Sequence, residues 1–576
     1  MPLIAGIDIG NATTEVALAS DDPQARAFVA SGIVATTGMK GTRDNIAGTL
    51  AALEQALAKT PWSMSDVSRI YLNEAAPVIG DVAMETITET IITESTMIGH
   101  NPQTPGGVGV GVGTTIALGR LATLPAAQYA EGWIVLIDDA VDFLDAVWWL
   151  NEALDRGINV VAAILKKDDG VLVNNRLRKT LPVVDEVTLL EQVPEGVMAA
   201  VEVAAPGQVV RILSNPYGIA TFFGLSPEET QAIVPIARAL IGNRSAVVLK
   251  TPQGDVQSRV IPAGNLYISG EPGTHAGGML ERVRKVMASL TGHEMSAIYI
   301  QDLLAVDTFI PRKVQGGMAG ECAMENAVGM AAMVKADRLQ MQVIARELSA
   351  RLQTEVVVGG VEANMAIAGA LTTPGCAAPL AILDLGAGST DAAIVNAEGQ
   401  ITAVHLAGAG NMVSLLIKTE LGLEDLSLAE AIKKYPLAKV ESLFSIRHEN
   451  GAVEFFREAL SPAVFAKVVY IKEGELVPID NASPLEKIRL VRRQAKEKVF
   501  VTNCLRALRQ VSPGGSIRDI AFVVLVGGSS LDFEIPQLIT EALSHYGVVA
   551  GQGNIRGTEG PRNAVATGLL LAGQAN

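Results

Sequence analysis

Cysteine is scarce in this chain of 576 residues: three in all, Cys322, Cys376 and Cys504, far apart and with no C-x-x-C pair. That argues against a disulfide framework, a zinc site and an iron–sulfur cluster, and it suits a reducing compartment. Histidine is also sparse, and His100, His275, His293, His405, His448 and His545 are too dispersed for spacing to assign any of them a role. No stretch of about 18 apolar residues runs without a polar break, so no membrane span is expected. The opening MPLIAGIDIG lacks a basic segment and enters a strand directly, so it does not read as a signal peptide. Charged residues make up only 18% and balance to −16, which disfavours nucleic acid as a partner, since neutralising phosphates takes a concentrated basic face. The basic run Arg492, Arg493, Lys496 and Lys498 has acidic and apolar neighbours on a predicted helix and reads as a solvated helix face. The expectation is a soluble, cytoplasmic protein.

What the chain does hold is apolar residues, 49% of the total, and 56 glycines that fall at turns and in small-residue helices rather than in repeats. Its length exceeds one core, and about three to five domains are expected. Residues 1–89 begin an α/β lobe, with two strands around a Gly-Asn turn, a helix near Thr42–Lys59 and a strand over Ser68–Asn73. Residues 90–255 read as a self-contained α/β insertion. Within it Gly106–Gly113 fits neither a Walker loop nor a dinucleotide loop, and reads as a flexible connection or interface loop. A linker over 256–295 returns to the first lobe, 296–379, where residues 322–353 carry apolar residues at 3–4 spacing and predict a long helix or helix pair. A second lobe covers 380–439 and 486–576, interrupted by a small strand-rich insert over 440–485.

One motif occurs twice. Asp8-Ile9-Gly10-Asn11-Ala12-Thr13-Thr14-Glu15 matches Asp384-Leu385-Gly386-Ala387-Gly388-Ser389-Thr390-Asp391, 376 positions later, and each copy lies between two apolar strands. A strand ending in a carboxylate, then a glycine turn with exposed N–H groups and small hydroxyl residues, suits a polyphosphate and its magnesium ion. Either copy alone would pass for an ordinary hairpin with a turn-favouring D-x-G. Two in register predict a clamp that closes on one nucleotide from both sides. Gly408-Ala409-Gly410-Asn411 follows a strand and opens a helix, a place where backbone N–H groups meet phosphate. Glu430 and Lys433 share a helical face, either as an ion pair or as contacts to ribose and adenine. Val526-Gly527-Gly528-Ser529-Ser530 ends an apolar strand, either as a plain turn or as a surface for adenine.

In this order the pieces resemble the actin, sugar kinase and seventy-kilodalton heat-shock superfamily. Asp8–Thr14 resembles its first phosphate motif, Asp384–Asp391 its second, and Glu362-Ala363-Asn364 through Gly369 its first connecting helix. Glu430–Lys434 with Val526–Ser530 resembles the adenosine motif, and Asn563–Gly568 the second connecting helix. From end to end, including ITETIITESTMIGHNPQTPGG, LSNPYGIATFFGLSPEET, AEAIKKYPLAKVESLF and VGGSSLDFEIPQL, the chain resembles large subunits of diol or glycerol dehydratase reactivating factors.

The resemblance implies an α/β, actin-like two-lobed ATPase with a duplicated ribonuclease-H-like core, an inserted swivelling domain and a small strand-rich insert. It implies ATP or ADP with magnesium, a small-subunit partner in a heterotetramer, and an adenosylcobalamin-dependent dehydratase as client. Damaged cobalamin leaves that client, and no cobalamin is expected on this chain. By the same resemblance Asp8 and Asp384 organise magnesium, and Glu362 activates or orients water. Asn11, Ala12, Thr13, Gly386, Gly388 and Ser389 bind phosphates; Glu430, Lys433, Gly528 and Ser529 bind the nucleoside, with Arg562 as a further contact. Thr104, Asp168 and Asp185 hold a divalent ion where the inserted domain meets the small subunit, although by sequence alone they are loop residues. Two departures stand out: no equivalent of the heat-shock lysine near the γ-phosphate is identifiable, and the junction near Glu271–Gly273 is short for the family. A small-molecule kinase is the leading alternative but shows no substrate motif with a dedicated base. A filament-forming actin relative is disfavoured by the large insertion, and an activator of hydroxyacyl-CoA dehydratase by the missing cysteine cluster.

Overall fold

The first apolar run, Leu3–Ile9, becomes the central strand of a five-stranded sheet in the computed structural model. Thr13–Ser20 and Phe28–Ala35 continue it antiparallel on one side; Val67–Leu72 and Glu355–Val358 lie parallel on the other. The second apolar run repeats this plan. Leu380–Leu385 lies between Ser389–Val395 with Ile401–Ala407 and the parallel pair Phe522–Val526 with Val549–Gln552. Register repeats too, for Asp8 pairs with Glu15 as Asp384 pairs with Asp391. Both central strands are apolar nearly throughout because helices cover both faces of each sheet. The structure describes residues 2–21, 27–74, 78–86, 88–92, 98–99, 104–250, 256–260, 283–289, 294–298, 300–313, 322–334, 338–481 and 483–572; the short junction near Glu271–Gly273 lies outside them.

The lobes meet at two small-residue helices, Glu362–Ala370 and Ala564–Ala572. Glycine is needed at the crossing itself: a Cβ on Gly369 would sit 1.9 Å from the Ala564 carbonyl oxygen, and one on Gly568 1.9 Å from that of Met365. The same closing helix rests on the first strand, where Gly6 admits the Ala566 carbonyl. Small residues thus let the backbones approach closely and bring the two lobes into contact beside both motif copies.

Three expectations need correction. Residues 322–353 are not one helix or a helix pair: Cys322–Val334 is a strand and only Arg338–Leu352 is helical. The first stretch is apolar at almost every position, so it satisfies both periods. It pairs with Ile300–Lys313 on one edge and Val78–Thr86 on the other, and Val328 to Val334 pack into separate core clusters on the two faces, which decides for strand. Gly109–Ala117 is likewise a strand, central in the seven-stranded sheet of the inserted domain, rather than a flexible loop. A Cβ on Gly111 or Gly113 would fall within 2.3 Å of a neighbouring carbonyl oxygen, so these glycines serve close approach and not mobility.

The basic run is the third. Leu485–Lys496, a π-helical turn and Thr502–Val511 form the helix expected around this run, but Arg492 and Lys496 are fully buried rather than solvated. Four residues apart, they turn to one face. There Arg492 meets Glu449 (2.5 Å) and Glu534 (2.7 Å), and Lys496 meets Asp532 and Glu534, both at 2.8 Å. Glu449 lies in the turn after Ser445–His448, the second strand of a small five-stranded sheet spanning Leu437–Ser442 to Glu475–Pro478. The network therefore ties that insert to the turn ahead of helix Ile535–Ser544.

Candidate nucleotide cleft

Each hairpin is built by its neighbours. In the first, Gly10 N–H donates to the Thr13 carbonyl (2.9 Å) and closes the turn. Asn73, just past the adjacent parallel strand, accepts from Ile9 N–H (3.1 Å) and donates to Asp8 Oδ1 (2.7 Å), aiming that carboxylate. In the second, Gly386 N–H donates to the Ser389 carbonyl (3.1 Å), and Ser529 Oγ donates to the Gly386 carbonyl (2.8 Å). Gly527, at φ +85°, leaves room for Asp384: a Cβ there would lie 2.2 Å from Asp384 Oδ1.

The hairpins face each other across one cleft of about 390 Å³. Asp8, Asn11, Ala12, Thr13, Glu362, Asp384, Gly386, Ser389, Glu430, Lys433, Gly528, Ser529 and Arg562 all line it. Gly388 is not in the wall; it packs beneath the Asn11 amide, where a Cβ would come within 2.7 Å of Asn11 Nδ2. Arg562, just ahead of the closing helix, spans the lobes. It donates to Glu15 Oε1 (2.9 Å) and Thr13 Oγ1 (3.2 Å), while its guanidinium lies over Gly528. Glu430 and Lys433 do form an ion pair, at 2.6 Å, but the pair faces the cleft, and Lys433 Nζ also donates to the Gly410 carbonyl (2.9 Å). Burial would push the Glu430 carboxyl up, but Lys433, Ser414 and Lys434 outweigh it and bring it down to about 2.

Where the two hairpin acids meet, a cation is favoured. Burial, then Glu362, pushes Asp8 well above the usual carboxylate range, and burial, then Asp391 and Glu362, pushes Asp384 up to about 8. Acids that would hold protons when alone ionise readily beside a hard cation, and the oxygen-only donor set of Asp8 and Asp384 fits magnesium.

Sequence reasoning missed several members. Lys40 is buried, with Nζ 3.2 Å from Glu362 Oε2, so the cleft does hold a lysine among its acids. Burial works against its charge, but Glu362 and Asp8 outweigh that and hold the ammonium above its ordinary range. It sits in the turn before helix Asn45–Leu57, with no motif to mark it. Asn73 was invisible for the same reason, and although Asn563 opens a motif, the bond from its backbone N–H to Glu15 Oε2 (2.6 Å) was not read from it.

Far from the cleft, Thr104, Asp168 and Asp185 come together at the edge of the inserted domain. Thr104 Oγ1 donates to Asp168 Oδ1 (3.3 Å), and the buried Asp185 accepts from Gly170 N–H (2.7 Å) on the turn that follows Asp168. No group of three or more His, Cys, Asp or Glu side chains that could hold a metal occurs among the described residues. No helix among them is long and apolar enough to cross a membrane.

Against known proteins, a family described as the diol dehydratase reactivase ATPase-like domain matches residues 250–573, and the DD-reactivating factor swiveling domain matches residues 92–256. The chain belongs to the diol dehydratase reactivase family. A diol dehydratase-reactivating factor large subunit of Klebsiella michiganensis is 59% identical over 605 residues, covering 99% of this chain and 98% of that one. A propanediol dehydratase-reactivating factor large subunit of Salmonella typhimurium is 58% identical with the same coverage. Two solved structures cover both chains completely: a glycerol dehydratase reactivase, 93% identical with a TM-score of 0.69, and a nucleotide-free diol dehydratase-reactivating factor, 57% identical with a TM-score of 0.70. As a member of this reactivase family the chain has a two-lobed α/β ATPase-like domain with an inserted swivelling domain.

Proposed function

We propose that this chain is the large subunit of a reactivating factor that hydrolyses ATP in the interlobe cleft. The energy is used to loosen an inactivated adenosylcobalamin-dependent glycerol or diol dehydratase, so that damaged cobalamin leaves and intact cofactor enters. The observation that carries this reading is the meeting of both acid hairpins in one cleft, on a chain whose full-length relatives bear the reactivating-factor name.

Asp8 and Asp384 would hold magnesium, directly or through water, and magnesium supplies the charge that offsets the phosphates. Asn11, Ala12, Thr13, Gly386 and Ser389 present the two turns to the phosphates, with Gly388 supporting from behind. Glu430, Lys433, Gly528, Ser529 and Arg562 line the nucleoside end. Lys40 orients the Glu362 carboxylate through their ion pair, and Glu362 orients the attacking water. Thr104, Asp168 and Asp185 would hold a second divalent ion facing the small subunit in a heterotetramer, and the complex would act in the cytoplasm. No feature among the described residues favours the kinase reading.

The test starts from a cobalamin dehydratase inactivated by glycerol. This chain, its small subunit, ATP, magnesium and fresh adenosylcobalamin are then added. Recovery of dehydratase activity that needs all five is the expected result; recovery without ATP, or none with the full set, counts against the proposal.

A further inference from the structure

The last acid of each hairpin has a cationic partner, and the two partners differ in kind. Glu15 ends the first motif and is held by Arg562, a permanent cation, and by Asn563 N–H. Its counterpart Asp391 stands opposite His405, their Cα atoms paired across the ladder, with His405 Nδ1 3.3 Å from Asp391 Oδ1. Asp391 is only 8% exposed. Its Oδ2 accepts from Ser389 Oγ at 3.1 Å, while Oδ1 has no aligned hydrogen bond among the described residues, so its contact with His405 is ionic. The carboxylate lines the nucleotide cleft and also a small cavity behind it, shared with Glu362 and Asp384.

We propose that His405 is a positioning residue for ATP hydrolysis, its imidazolium holding the Asp391 carboxylate in the cleft wall to accept a hydrogen bond from the attacking water. The inference rests on the ATPase reading above. Other charges face strand Ile401–Ala407 from the elements packed on it. Glu362 lies on the connecting helix with Lys40 beyond it, and Asp302, on strand Ile300–Lys313, accepts from Ala407 N–H and from Arg506 of helix Thr502–Val511. Arg506 is matched by Asp302, which leaves Asp391 as the acid nearest the ring. Asp391 outweighs burial and raises the imidazole to about 9. The charge is therefore present through neutral pH and is lost as pH rises through about 9.

The experiment uses the full chain in complex with its small subunit. Steady-state ATP hydrolysis is followed from acid to alkaline pH for wild type, H405Q and H405K, and His405 is titrated by NMR in ¹³C-histidine-labelled protein, assigned by its loss in H405Q. H405Q is expected to lower kcat about tenfold near neutral pH with KM for ATP within about twofold, because a displaced carboxylate misplaces water and not nucleotide. H405K is expected to recover most of kcat and to remove the alkaline fall near pH 9. Wild-type kcat in H405Q, or H405K as impaired as H405Q, overturns the role. So does a His405 ring that titrates at its ordinary value, whatever the hydrolysis rates. Absence of hydrolysis in the wild-type complex, with the ring still titrating high, removes the ATPase reading itself and this role with it.

Discussion

The two hairpins are built from one pattern, yet they are supported differently. In the first, side chains do the fixing: Asn73 aims Asp8, and Arg562 spans the lobes to Glu15. In the second, space and a neutral hydroxyl do it: Gly527 leaves room for Asp384, Ser529 Oγ pins the Gly386 carbonyl, and among the described residues only Asp391 of this hairpin's acids has a charged side-chain partner. The difference teaches that the acids are the shared requirement, while each lobe solves their placement from its own surroundings. The Arg562 contact also joins the two lobes, whereas Gly527, Ser529 and His405 act within one.

The comparison breaks most sharply at the acids. Asp8→Asn and Asp384→Asn should each lower ATP turnover by about a thousandfold with the fold retained, since each removes charge where the transition state needs a fixed cation. Turnover assays with circular dichroism as a fold control check this, and a silent variant in either lobe would end the symmetry. The next largest effect concerns what brings the hairpins together. Gly568→Val should cost about 3 kcal/mol or more in denaturant unfolding, because even a Cβ there would sit 1.9 Å from the Met365 carbonyl. A near-neutral result would mean that the lobes are less tightly joined than the helix crossing implies.

Arg562→Gln separates the two kinds of support. It should weaken ATP binding about tenfold, a loss of about 1.4 kcal/mol, while Ser529→Ala in the second lobe costs less, because a neutral hydrogen bond to backbone is worth about 1 kcal/mol. Calorimetric titration ranks the two. The smallest effect is at Glu430. Its carboxyl is brought below the ordinary value, so the stability it contributes is present above about 4.5 and fades as pH falls toward about 2. The melting temperatures of wild type and Glu430→Gln should therefore differ at neutral pH and converge in acid; a gap that stays constant with pH would contradict the ion-pair account.

Both hairpins were legible in the sequence because acid, glycine and hydroxyls lie within eight consecutive residues, so local chemistry carries the signal. The ion pair of Glu430 with Lys433 was legible for a similar reason, as helical spacing puts them on one face. Lys40, Asn73 and His405 were not legible, since Lys40 reaches the cleft, and Asn73 and His405 reach its acids, through strand register or a turn that only the assembled sheet defines. Cys322–Val334 failed because a continuous apolar run has no period to read. Arg492 and Lys496 failed because their acidic partners come from segments distant in sequence, and burial of a charge cannot be inferred before its partner is known.

The central claim is one nucleotide held by both hairpins through one magnesium ion. Calorimetric titration of the complex with ADP, with and without magnesium, tests it most directly. One nucleotide per chain is predicted, bound more tightly with magnesium, with that magnesium dependence lost in Asp8→Asn and Asp384→Asn alike. Two nucleotides per chain, or magnesium dependence that survives in one of the two variants, would contradict it.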